Sequence, residues 1–167
     1  MFIMLEEMMK VGTIPRAFYE WLIANGFTTA PASTKYHGAR EGGLYDHSLA
    51  VTENLLGFTR DIGLKWQRSE SPYIVGMFHD LCKIDAYEKT EDGYERNEDQ
   101  LIKGHGDKSV MLLSQFMTLT EEEILCIRYH MGAYETDNWK QFDLAIKKYP
   151  NVLFTHTADM LASKLRV

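Results

Sequence analysis

One stripe of residues constrains this chain more than any other feature. Leu44, His47, Val51, Leu55, Phe58 and Ile62 follow one another at steps of 3, 4, 4, 3 and 4. That period marks one face of an α-helix, and an apolar face has to be covered by other elements. The stripe carries a histidine, so the expected core includes an imidazole. The flanking segments read as further helices. Pro15 suits a first helical position and Gly26 a stop, which predicts a helix over Pro15 to Asn25. Residues 27–43 are rich in turn formers and read as a loop. Ser71-Pro72 opens a helix that should run through Cys82, and Asp107 is a candidate cap for one reaching about Met117. Thr120 with Glu123 three residues on is a capping box, predicting a helix to about Met131 that Gly132 ends. Further helices are expected over about 140–149 and 151–165. Asp92-Gly93 is a hairpin signal. The expected fold is all-α, a helical bundle with a small β-hairpin excursion near residues 87–97.

With 167 residues the chain makes one ordinary domain. Its expected core spans about 35–163, with N-terminal helices in residues 1–26 packed on it. Lys and Arg total 18 against 24 Asp and Glu, a net charge of −6. That is no footprint for duplex DNA. No apolar run approaches the ~20 residues of a membrane helix. Glu6 and Glu7 precede the first lysine, the wrong order for a secretory signal. A cytoplasmic protein is expected, with Cys82 and Cys126 as reduced core residues. Two cysteines make neither a disulfide framework nor a Cys-only zinc site.

The chemistry lies in histidines and acids. His79-Asp80 sits in the apolar stretch MFHDLCKID, which reads as helix. In the last helix Val152, His156, Asp159 and Ser163 share one face. An unpaired buried carboxylate costs several kcal/mol or titrates to neutral. If Asp80 and Asp159 point inward among imidazoles, a divalent cation answers the cost best. Nitrogen and oxygen donors suit Fe, Mn, Zn, Ni or Co. Taken singly, His47 and His156 read more readily as hydrogen-bonded core histidines than as ligands, Asp159 more readily as part of a solvated face, and His105 could be a helix-entry residue.

Together these residues resemble the HD-domain metal-dependent phosphohydrolase superfamily. Its signature of His, then His-Asp, then a distant Asp reads here as His47, His79-Asp80 and Asp159. The two further histidines of many members read as His105 (GHGDKS) and His130 (IRYHMG). The flanks EGGLYDHSLAV, FHDLCK and HTADML are similar to the family's as well. The likeness covers roughly residues 35–163 and extends to small single-domain HD hydrolases of bacteria and phages and to the HD half of a bacterial 3′→5′ exoribonuclease, whose oligonucleotide-binding β-barrel has no counterpart in this sequence.

The resemblance implies two divalent transition metals per chain. One would be held by His47, His79, Asp80 and Asp159, and the other by Asp80, His105 and His130. It further implies hydrolysis of a phosphomonoester or phosphodiester in a small nucleotide-type substrate, by a hydroxide shared between the metals. Asp80 and Lys83 are the expected catalytic residues. Lys83, four residues after His79, would contact phosphate or orient Asp80. His37, Arg40 and Arg128 are expected phosphate contacts, with Lys108 a weaker one, and His156 would support the site or bind substrate. Two alternatives stay open: a non-catalytic metal- or nucleotide-binding regulatory module, and a 3′–5′ exonuclease on single-stranded RNA or DNA.

Overall fold

The stripe forms the spine of the molecule. In a computed structural model that describes residues 3–134 and 139–165, helix α3 spans Gly43–Ile62. The first two and last two residues of the expected domain lie outside the described residues. Leu44, His47, Val51 and Leu55 are buried along α3, whereas Ile62 at its end is exposed. Helix α4 (Ser71–Phe78) and helix α8 (Asn151–Leu165) both pack on α3. Helix α6 (Glu121–Arg128) packs on α8 and α4, and helix α5 (Gly106–Ser114) packs on α6. Helix α7 (Trp139–Lys148) covers part of α8. Leu5 and Met8 of α1 (Ile3–Lys10) and Phe18 and Leu22 of α2 (Arg16–Ala24) join the same buried cluster as Leu44 and Leu55.

Two glycines set how closely these helices approach. A Cβ on Gly76 of α4 would lie 2.6 Å from the Cα of Thr52 in α3. One on Gly106 of α5 would lie 2.3 Å from the Arg128 carbonyl oxygen. Real side chains do not tolerate such contacts, so both crossings need glycine. The first brings the end of α4 to the middle of α3, and the second brings the start of α5 to the end of α6.

The capping box is present. Thr120 Oγ1 accepts from the Glu123 N–H at 3.2 Å, and Glu123 Oε2 accepts from the Thr120 N–H at 2.9 Å. Glu123 also takes a bidentate contact from Arg68, 2.7 Å on each oxygen, and one from Ser71 at 2.8 Å. A single buried carboxylate thus caps α6 and fastens the entry to α4.

Four helix ends differ from expectation. The helix expected through Cys82 stops at Phe78, and a 3₁₀ turn follows over Leu81–Asp85. His79-Asp80 therefore lies at a helix terminus rather than inside a helix. His79 Nδ1 donates to the Gly76 carbonyl at 2.9 Å, the acceptor that the Asp80 N–H would need for α4 to continue. Helix α6 ends at Arg128, short of Met131, and His130 Nδ1 donates in the same way to the Ile127 carbonyl at 2.7 Å. Helix α5 starts at Gly106 with His105 as its cap, so Asp107 lies in the first turn instead of capping it, and the helix stops at Ser114.

The hairpin is β1 (Tyr87–Thr90) against β2 (Gly93–Arg96), antiparallel. Thr90 pairs with Gly93, so Glu91-Asp92 forms the turn, one residue before the Asp92-Gly93 signal. Among the described residues no helix is long and apolar enough to cross a membrane.

Candidate metal centre

Four helices deliver donors to one point. α3 contributes His47, the end of α4 His79 and Asp80, the end of α6 His130, and α8 Asp159. His47 Nε2 lies 3.1 Å from Asp159 Oδ1, 3.2 Å from His79 Nε2 and 3.5 Å from Asp80 Oδ2. His79 Nε2 is 3.4 Å from Asp80 Oδ2 and 3.9 Å from Asp159 Oδ1. His130 Nε2 stands 3.3 Å from Asp80 Oδ1. His79 and His130 are fully buried, and Asp80 is nearly so.

This arrangement fits a cation. A carbonyl only accepts hydrogen bonds, so the Nδ1 atoms of His79 and His130 carry protons. In the neutral rings the Nε2 lone pairs then point into the nest. His130 Nε2 and Asp80 Oδ1 face each other, yet neither has a hydrogen-bond partner. Two facing acceptors, buried together, repel unless a positive charge stands between them. Two donor groups compact enough to hold an ion lie here: His47 with His79 and Asp80, and His79 with His130 and Asp159.

The acids are ionised. Burial alone would raise the Asp80 carboxyl, but the neighbouring Lys83 charge works against it, and the group stays well below the usual range. For Asp159 burial is likewise overcome, chiefly by the hydrogen bond from His47, and its pKa falls to about 2. Lys83 Nζ sits 2.7 Å from Asp80 Oδ2. Burial works against its charge, and Asp80 more than restores it. Because the segment is a 3₁₀ turn, Lys83 answers Asp80 three residues back; it does not extend a helix face from His79.

The remaining expected residues divide. His37 comes to the nest, with its ring 4.7 Å from that of His47. Its Nε2 is buried without a hydrogen-bond partner. Burial, then the neighbouring His47 and Lys83, lower its pKa to about 4. Arg40 is exposed and pairs with Asp46, yet it shares with His47 the lining of one cavity. Arg128 pairs with Asp107 at 3.1 Å and lies over the Tyr129 ring. Lys108 is buried against Asp85 at 2.6 Å. His156 supports the nest from behind, donating from Nδ1 to the His130 carbonyl at 2.8 Å.

His105 stands apart from the nest, with its ring centroid 6.5 Å from that of His130. Its nearer company is Cys82, whose Sγ lies 4.0 Å from His105 Nδ1. Asp80, Cys82 and His105 make a third donor group. Cys82 is a free, buried core thiol, as expected, but the expected donor set of nitrogen and oxygen alone did not foresee a sulfur beside Asp80 and His105. Burial, and then Asp80, push the Cys82 thiol up to about 12.

A helical bundle that gathers imidazoles and acids from separate helix ends around a shared carboxylate defines a cation-binding protein. This chain belongs to the HD domain family, whose family model matches residues 44–162, from the start of α3 almost to the end of α8. The family is one of metal-dependent phosphohydrolases that bind divalent metals. Comparison with curated proteins and with solved structures returned no significant match.

Proposed function

We propose that the protein hydrolyses a phosphomonoester or phosphodiester of a small nucleotide-type substrate with the help of two divalent cations. The observation that carries this reading is the facing pair of orphaned acceptors, Asp80 Oδ1 and His130 Nε2, inside a nest of further imidazoles and acids. One cation would be held by His47, His79, Asp80 and Asp159, and Asp80 would reach a second on the side of His130 and His105. When bound, such cations offset charge developing on a phosphoryl group and make water nucleophilic at neutral pH.

The chain's own residues supply the rest. Lys83 keeps Asp80 ionised, so that the carboxylate can serve two cations. His156 holds the backbone of His130 and with it the ring's aim. His37, neutral at physiological pH, presents a nitrogen at the edge of the nest, where it can accept or orient a substrate proton. Beside His47 a cavity of about 710 Å³ is lined by Lys35, Tyr36, His37, Arg40, Asp46 and Ser163, among others. This lies within the ~300–1,000 Å³ of small-molecule sites. Its mixed charge suits a phosphorylated polar molecule better than an apolar one.

The test joins elemental analysis to a substrate screen. Purified protein should carry close to two transition-metal ions per chain. It should also cleave at least one of an aryl phosphodiester, the nucleoside mono- to triphosphates, the cyclic dinucleotides or short single-stranded RNA. Asp80→Asn should lose both the metal and the turnover. Metal-loaded protein that leaves the whole panel intact would overturn the reading and favour a binding module.

A further inference from the structure

We propose that Asp80, Cys82 and His105 form a three-donor site for a thiophilic divalent cation, in which Cys82 binds as thiolate. The inference rests on metal binding by this cluster and requires no hydrolysis.

Three segments supply the donors: the end of α4, the 3₁₀ turn that follows it, and the residue capping α5. One donor atom from each lies within 4.8 Å of the others, and Cys82 Sγ is 4.0 Å from His105 Nδ1. Asp80 is buried, and its Oδ1 has no hydrogen-bond partner. The group is reachable. Cys82, Lys83, Gly104 and His105 line one wall of a cavity of about 140 Å³, and Tyr87 and Arg96 of the hairpin help to line the remainder. A cation can therefore enter beside the thiol without crossing the buried nest.

The other cysteine shows what an ordinary core thiol looks like in this fold. Cys126 is fully buried in α6 beside Thr155 and joins no such donor group among the described residues. Cys82, in contrast, stands between a carboxylate and an imidazole. Its backbone N–H is tied to Ser109 Oγ at 3.0 Å, which fixes the turn that carries it. A sulfur, nitrogen and oxygen set favours zinc, cobalt or cadmium over magnesium or manganese. Three protein ligands leave a coordination position open. As the metal–sulfur bond forms, the thiol proton leaves to solvent.

Cadmium and cobalt ions are the probes. Titrating Cd²⁺ into the protein should raise a near-ultraviolet thiolate-to-metal absorption band, and Co²⁺ should give the matching band at longer wavelength. Cys126→Ser should keep both bands, and Cys82→Ser, checked for fold by circular dichroism, should lose them. Should Cys82→Ser fail to fold, alkylation of Cys82 in the wild-type protein, mapped by mass spectrometry, gives the second readout. Bound Cd²⁺ should slow it by about tenfold or more, since a metal-held thiolate is a poor nucleophile. Absence of the bands in the wild type, their survival in Cys82→Ser, or equal alkylation with and without Cd²⁺ would overturn the inference. A protein that shows the bands but cleaves no phosphoester would refute the proposed function and leave this site standing.

Discussion

The two sides of Asp80 are built differently. On the deep side, His47, His79, His130 and Asp159 come from helices α3, α4, α6 and α8, packed on one another through the core. Two of these imidazoles are locked by backbone carbonyls, and a third histidine braces one of them. On the shallow side, Cys82 and His105 come from a 3₁₀ turn and a helix cap, next to an open cavity. Rigid, desolvated donors with fixed tautomers pre-pay the ordering that a cation demands. Donors on a turn beside solvent bind with less pre-organisation and exchange more readily. Cations bound as proposed would therefore be held more tightly on the deep side and exchange more readily on the shallow one.

The largest expected effects come from the two glycine crossings, and they separate the sides. Gly76→Ala should destabilise the protein by about 2–3 kcal/mol, the upper range for overpacking, and strip the ion from the deep side, because α4 must move away from α3 and carry His79 from His47. Gly106→Ala should cost about the same and displace His105 first, weakening the cadmium thiolate band more than it lowers the deep-side metal content. Thermal melts with elemental analysis check both, and equal loss of both ions in each variant would break the distinction.

A middling effect is expected at His156. His156→Ala removes the hydrogen bond to the His130 carbonyl and should weaken metal retention by about tenfold, as loss of an outer partner typically does. Competition with a chelator measures it. Retention unchanged would mean that the His130 ring is aimed by Ile127 alone.

The smallest effect concerns His37. Its imidazole should titrate near pH 4, visible in its ring-proton chemical shift on acidification. The unfolded chain takes up that proton at about 6.5. Between these values the unfolded state binds more protons, so His37 lowers stability as pH falls from about 6.5 towards 4. His37→Gln should flatten that part of the pH–stability curve, and a midpoint at the ordinary histidine value would place the ring in solvent rather than against His47.

Much of this was legible before any coordinates. The period-3.6 stripe located α3, the pattern over 151–165 located α8, and Thr120 with Glu123 announced the capping box, because each is a local pattern of side chains a few residues apart. The ends of α4 and α6 were not legible. His79 and His130 stop their helices by donating to a carbonyl three residues back, and propensity does not report which ring nitrogen carries a proton. The acids that meet Arg40 and Arg128, Asp46 and Asp107, were not legible either, because surface pairing is invisible in spacing. The donors beside Cys82 were hidden for a related reason: a buried cysteine reads as the small core residue it is, and spacing does not show what stands next to it.

The chain's residue order by itself determined a helical bundle with histidines and acids on its inward faces, since periodicity and the cost of burying charge are properties of short segments. Tertiary structure alone decided which donors meet, that Lys83 turns onto Asp80, and that Cys82 comes beside His105. Those outcomes depend on angstrom-scale helix crossings at Gly76 and Gly106 and on where two helices stop, and only the packed molecule sets such distances.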